Sequence, residues 1–282
     1  MTGLLSALPG ALSKRPRAWL GGLGLLLVVA IAVFAPLLAG DDPQAMVARP
    51  YLLPGQDVAH LLGTDTLGRD IWAGIAYGAR LSLRIGLTTG LLTALVGLLI
   101  GAVAGYFGGW VDNQLMRLTE LFQIMPSLIF TLVLVIILGP TVNTLTLGIA
   151  ATSWPNVARL SRGEARRLRN SDFIQAAHVM GMSDCRILIA HILPNALMPV
   201  VAMLAMLVGH AILTEAALSF LGMGDPNVVS WGSMIGQGRD VLRSAWYMSA
   251  IPGVAIFFTV ASLSLLGGAI NDWINPQRGR LP

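Results

Sequence analysis

Side chains able to do chemistry are sparse in this chain and gather in two places. One is a basic stretch from Arg159 to Pro194, and the other is the pair His210 and Glu215, set inside an otherwise uncharged run. Neither has the make-up of a catalytic centre. No G-x-x-x-x-G-K-[ST] loop is present to cradle phosphates, and Lys14 is the only lysine, so there is no Walker-type nucleotide site. H-E-x-x-H, G-x-S-x-G and any cysteine–histidine constellation are also missing. Cys185, the single cysteine, has no intrachain disulfide partner. What these residues offer is recognition and passage, not bond-making.

The basic stretch divides into segments with mechanical meaning. Arg159 to Arg169 reads as a helix, with Arg162, Arg166 and Arg169 at i, i+4 and i+7. Ser171-Asp172 is a helix-start signal, and Gln175, three residues beyond Asp172, suggests a capping box. In the helix so started, Phe173, Ala176, Ala177 and Met180 form one stripe. Gly181 supplies the left-handed turn that ends it. Ser183-Asp184 can cap a second short helix, running through Arg186 to Ile192 and stopping near Pro194. The small Ala176 and Ala177 would let another surface come close. Two other uses of the stretch stay open on these grounds: the arginines fix topology or touch anionic lipid, and the apolar stripe packs on the chain's own helix ends. Without a stacking array of aromatics, nucleic acid is not the partner.

The elements that carry these residues follow from composition. Of 282 residues, 55% are hydrophobic and only 11% charged, with a mean hydropathy of +0.73; a soluble domain carries roughly 25% charge. Lipid solvates such apolar surface provided backbone groups are satisfied within helices, so the expected fold class is all-α, a polytopic protein in the bilayer. Trp19–Leu38, Ile85–Phe107, Leu121–Leu138, Ala196–Phe220 and Trp246–Ile270 can each cross the hydrocarbon, which takes about 20 residues. Val142–Ala158 is shorter and more polar, and counts as a sixth span because omitting it would put the most basic loop outside. Trp19–Leu38 exceeds the apolar core of a secretion leader and reads as a retained helix.

With the N-terminus inside, Lys14, Arg15, Arg17, Arg117, Arg159, Arg162, Arg166, Arg167, Arg169, Arg186, Arg278 and Arg280 are cytoplasmic. Arg49, Arg69, Arg80, Arg84, Arg239 and Arg243 are external. Twelve of the 18 basic residues inside agrees with the positive-inside rule. The expected organisation is a cytoplasmic N-terminus (1–18), a first transmembrane helix (19–40) and an extracytoplasmic segment (41–84). A five-helix core (85–274), with its cytoplasmic loop at 159–194, and a cytoplasmic tail (275–282) complete it.

Within the spans, Gly97, Gly101 and Gly105 recur every fourth residue, after Gly86 and Gly90. That spacing cuts a groove for close helix approach, for which packing inside the chain is the favoured use. Glu215 and His210, five residues apart, point about 140° away from each other on a helix. Glu215 is either a path-lining acid or a structural carboxyl bonded to a neighbour, and its place near the external helix end favours the second. An ion-driven secondary transporter would call for several midplane acids and paired broken helices, and only Glu215 answers.

Gln175-Ala176-Ala177, three residues, Gly181, nine residues and His191-Ile192-Leu193-Pro194 resemble the signature loop of bacterial binding-protein-dependent ABC importer permeases. That pattern reads Glu-Ala-Ala, three residues, Gly, nine residues, Ile, one residue, Leu-Pro. Gln175 replaces its Glu, so it can accept a hydrogen bond but form no ion pair, and His191 replaces its Ile. Gly63-Thr64-Asp65-Thr66-Leu67-Gly68-Arg69-Asp70, Ala79-Arg80-Leu81-Ser82-Leu83, Ser219-Phe220-Leu221-Gly222-Met223-Gly224 and Trp231-Gly232 are similar to the dipeptide/oligopeptide/nickel branch, and most to its second permease subunit. The resemblance implies a six-helix type I permease core in the bacterial inner membrane. It also implies a second homologous permease subunit, two cytoplasmic ATPase subunits and an extracytoplasmic solute-binding protein. ATP and Mg would be bound by the ATPases, leaving this chain without cofactor, metal or catalytic residue. Asp172, Phe173, Gln175, Ala176, Ala177, Met180, Gly181, Asp184 and Arg186 would form the ATPase-coupling site. Short peptides lead the substrate classes it implies, ahead of nickel complexes and glutathione.

Overall fold

Long uncharged runs must bond their own backbone groups, and helices do so in the computed structural model, which describes residues 16–274. Lys14, Arg15, Arg278, Arg280 and the tail 275–282 lie outside the described residues. The helices are α1 (Pro16–Val33), α2 (Ala35–Ala39), α3 (Ile71–Phe107), α4 (Gly109–Ile124), α5 (Ser127–Leu138), α6 (Val142–Arg169), α7 (Asp172–Val179), α8 (Asp184–Ile187), α9 (Leu193–Phe220), α10 (Trp231–Gly238) and α11 (Tyr247–Ile274). Among the described residues, the only extended pairings are isolated bridges, Met46 to Arg69 and Thr64 to Asp70.

Three helices are individually long and apolar enough to cross a membrane: α3, the continuous run Asp184–Phe220, and α11. The expected span Leu121–Leu138 is broken instead. Pro126 lacks an amide hydrogen and disfavours helix in the residue before it, and α4 and α5 meet there at 83°. The shorter α1 and the polar α6 occupy the positions of the other two expected spans.

The expected span Ile85–Phe107 is only part of its helix. Asp70 caps α3 by accepting from the Trp72 amide at 2.9 Å, so the helix begins at Ile71, inside the segment 41–84, and extends about 55 Å at 1.5 Å per residue. Arg80 and Arg84, counted as external by the charge distribution, belong to this extension. The Arg80 guanidinium donates to the carbonyls of Ala32 and Val33 at 3.1 and 3.3 Å, groups freed where α1 ends. Trp231, on α10, donates its indole hydrogen to the Ile75 carbonyl at 3.0 Å, joining α10 to the same stretch.

The glycine series splits between two neighbours. Gly86 and Gly90 face Ile212 and Val208 of α9, whereas Gly97, Gly101 and Gly105 face α6. A Cβ on Gly101 would stand 2.2 Å from the Ala158 carbonyl oxygen, and one on Gly105 2.5 Å from that of Arg162. Backbone therefore touches backbone, and α3 and α6 form the most extensive helix pair.

Gly101→Ala should cost roughly 1–3 kcal/mol through overpacking and lower the unfolding midpoint of the detergent-solubilised protein. Gly163→Ala is the matched control, because a Cβ there meets nothing within 4 Å. Equal midpoints for the two variants would contradict the close contact.

Candidate functional site

The basic stretch folds into an elbow seated on the C-terminal ends of α3 and α6. Ile174 and Ala177 of α7, Ile187 of α8, and Leu188 and Ile192 turn inward onto Ala102, Tyr106, Ala165 and Leu168. This seat explains why so short a helix as α7 persists, since isolated helices of two turns do not hold in water. It also corrects the single-stripe expectation. Ala177 is only 2% exposed and belongs to the inner face. Asp172, Phe173, Gln175, Ala176, Val179 and Met180 stand exposed, Val179 at 89% and Met180 at 73%.

The helix starts one residue earlier in role than expected. Ser171 is the N-cap, and its hydroxyl turns back to the Leu168 carbonyl, so the capping box through Asp172 and Gln175 does not form. Asp172 remains in the first turn, where a negative charge is favoured by the helix dipole.

Gly181 ends the helix at φ +79°. Its amide donates to the His178 carbonyl at 2.9 Å, and that of Met182 to the Ala177 carbonyl at 3.1 Å. This pair of bonds is a Schellman motif, which satisfies two end carbonyls. Nothing lies within 4 Å of a Cβ at Gly181, so the requirement for glycine is conformational and not steric.

Beyond the turn, Asp184 and Arg186 are exposed on α8. The Tyr106 hydroxyl donates to Asp184 Oδ1 at 2.7 Å, and the Tyr106 ring stacks on His178 at 6.5 Å. Pro194 does not stop this segment. It has no amide hydrogen for the Ala190 carbonyl, and the chain widens into a π-turn over Leu188–Ile192 before continuing as α9. The elbow is thereby covalently stiff with a helix reaching the far end of the protein.

Of the arginines only Arg162 turns inward, while Arg159, Arg166, Arg167 and Arg169 stay exposed. Arg162 grips buried Asp112 of α4 with two hydrogen bonds, Nε to Oδ1 at 2.5 Å and Nη2 to Oδ2 at 2.6 Å, and Arg166 stands 3.5 Å from the same carboxylate. Arg169 donates to the Phe107 carbonyl at the end of α3, and Arg167 pairs with Glu164. The two hydrogen bonds from Arg162 hold the Asp112 carboxyl below the usual carboxylate range, against its desolvation, with the charges of Arg162 and Arg166 adding to the effect. Sequence reading passed over Asp112, because its partner lies 50 positions away. Its one legible mark was a lone acid opening the helix after Gly108-Gly109. Tyr106 carried no mark at all.

Glu215 and His210 are not brought together. Glu215 is buried and accepts from the Ser219 hydroxyl at 2.6 Å, while His210 is on the exposed face of α9. The Gly97–Gly105 row lies directly under the elbow, against α6.

A helical bundle with membrane-length apolar helices defines a membrane protein. Residues 97–280 match the family described as the binding-protein-dependent transport system inner membrane component, and the chain belongs to that family, which comprises transporter permeases and not catalysts. It is 38% identical to a putative peptide transport system permease of Brucella suis over 93% of this chain and 89% of that one. It is 35% identical to the dipeptide transport system permease DppC of Alkalihalophilus pseudofirmus over 94% and 88%. Identity to the glutathione transport system permease GsiD of Pectobacterium atrosepticum is 36%, over 91% and 85%. In fold it is similar to a chain from the MetNI methionine ABC transporter in an inward-facing conformation, with a TM-score of 0.59 at 16% identity over 72% of this chain and 96% of that one.

Because the folded Asp112 has a depressed pKa, its contribution to stability is present above the unfolded value of about 3.9 and is lost as pH falls through the folded value. Asp112→Asn should lower stability at neutral pH by roughly 2 kcal/mol and flatten the acid limb of an unfolding titration. Parallel pH profiles for wild type and variant would contradict this role.

Proposed function

We propose that the chain is one of two permease subunits of an ATP-driven importer of short peptides, forming half of the translocation path. In this reading it crosses the bacterial inner membrane six times with both termini in the cytoplasm. A solute-binding protein delivers the peptide outside, and two ATPases meet the elbow inside. The observation that carries the reading is the elbow: an inner face seated on α3 and α6, and an outer face of Phe173, Ala176, Val179 and Met180 with no partner in the chain's own core.

The mechanism follows from the connections. ATP binding draws the ATPases together and moves α7, held in a cleft between their lobes. Load passes through Ile174, Ala177 and Ile187 into α3 and α6, and through the π-turn directly into α9. The glycine contact makes α3 and α6 move as one body, so the bundle rocks between inward-facing and outward-facing states. Gln175 contributes to docking by hydrogen bonding and surface fit, not by an ion pair. The relative named for glutathione supports tripeptides among the cargo. No step of the chemistry of ATP is carried out by this chain.

Uptake into proteoliposomes holding both permeases and the ATPases, with binding protein and labelled dipeptide outside, should require ATP. Gly181→Val, which forces a β-branched residue to φ +79°, costs about 1–2 kcal/mol in the turn and should reduce uptake and ATPase co-purification. Gly181→Asn, which tolerates the left-handed conformation, should retain most of both. Dipeptide uptake by this chain without an ATPase, or full uptake by Gly181→Val, would overturn the reading.

A further inference from the structure

The loop before α3, at the end opposite the elbow, is built around one arginine. Asp65 Oδ1 accepts from the amides of Leu67 and Arg69, each at 2.8 Å, and the Asp65 amide donates to the Arg69 carbonyl at 3.0 Å. Gly68, at φ +79°, lies so close to the Ala48 carbonyl that a Cβ would stand 2.1 Å from its oxygen. The backbone of Arg69 is thus fixed from both sides. Its side chain is not correspondingly satisfied. Nε is buried without a hydrogen-bond partner, and the nearest carboxylate oxygen, Asp65 Oδ2, is 4.0 Å away. An unpartnered buried donor is destabilising, and a rigid loop holds this one in place.

Arg69 lines a cavity of about 380 Å³ between this loop, the end of α9 and α10, a volume on the scale of small-molecule sites. Gln44, Phe220, Gln237, Arg239 and Asp240 line it as well. Asp225, also in the lining, is already engaged by the amides of Val142 and Asn227. Arg239 is held against Asp240 and over the Phe220 ring. Arg69 is the lining arginine whose guanidinium has a buried, unpartnered Nε, and both signs of charge face one small space.

We propose that this cavity is an entry subsite for a zwitterionic short peptide, with Arg69 binding its C-terminal carboxylate. The inference rests on the peptide-importer reading and deepens it. A guanidinium presents parallel N–H groups that match a carboxylate, so the bond is charge-assisted and directional. Asp240, in the same lining, is bonded to Arg239 through Oδ1, and its Oδ2 can receive the peptide ammonium. Held peptides would pass from here toward the path as α9 and α10 shift.

The test is cysteine protection in nanodiscs holding both permeases and the ATPases, without binding protein. Gln237→Cys is made in a Cys185→Ser background, because Cys185 is exposed, and its rate of thiol labelling is followed by mass mapping. Alanylalanine should slow labelling, and alanylalanine amide should not. Arg69→Gln should raise the half-protecting concentration about tenfold, equivalent to about 1.4 kcal/mol, and Arg69→Lys should fall between. Arg69→Lys also serves as the folded control if Arg69→Gln does not assemble. Equal protection by peptide and amide, or unchanged protection in the assembled Arg69 variants, would overturn the subsite. If dipeptide uptake occurs in the complete system while alanylalanine gives no protection, the subsite fails and the importer reading stands. Absence of dipeptide uptake fails the importer reading itself.

Discussion

The contact between the backbones of α3 and α6 governs most of what this protein can do. At Gly97, Gly101 and Gly105 the two helices come closer than any side chain would allow, and the interaction is a matter of dispersion and shape, because lipid gives apolar faces no reason to associate. Once that approach is made, several other features follow. Arg162 is brought over Asp112, Leu168 and Ala165 are brought beside Tyr106, and the surface on which the elbow sits is complete. Loosening the glycine row would therefore loosen the platform under α7 as well as the bundle.

The platform gives the elbow two faces with different duties. The inner one is ordinary core, and the outer one presents Phe173, Ala176, Val179 and Met180 beside Asp172 and Gln175. A partner pressing on Val179 or Met180 pushes through Ala177 and Ile187 onto helices that cross the whole protein. The Tyr106–Asp184 hydrogen bond adds a directional restraint to this apolar seat. In the proposed cycle, transmission to the far end runs along α3, whose first turns hold α10 through Trp231 and receive the Arg69 loop through the Asp70 cap. Both ends of the proposed transport cycle are thus attached to one helix.

Much of this was legible in the sequence, for reasons that differ from residue to residue. The glycine spacing and the Gly181 turn were readable because each imposes a local requirement that few other residues meet. Hydropathy located the apolar runs but misjudged their limits. The apolar run opens at Ile85 and so leaves out the first turns of α3, where the charge of Arg80 is spent on the carbonyls of α1, and Pro194 looked like a stop, although a π-turn absorbs its missing amide. Ala177 was assigned outward because a helical stripe identifies neighbours on one helix and says nothing of which body covers them. The Asp112–Arg162 pair was invisible, since only the tertiary approach of α4 and α6 creates it.

The central claim is that α7 works as a two-faced lever whose outer face is held by an ATPase. Disulfide trapping between single cysteines along residues 172–180 and cysteines in the ATPase cleft, in a transport-competent complex, tests it most directly. The account predicts trapping at Phe173, Ala176, Val179 and Met180, with none at Ile174 and Ala177. Trapping at Ile174 and Ala177 instead, or at no position, would contradict it.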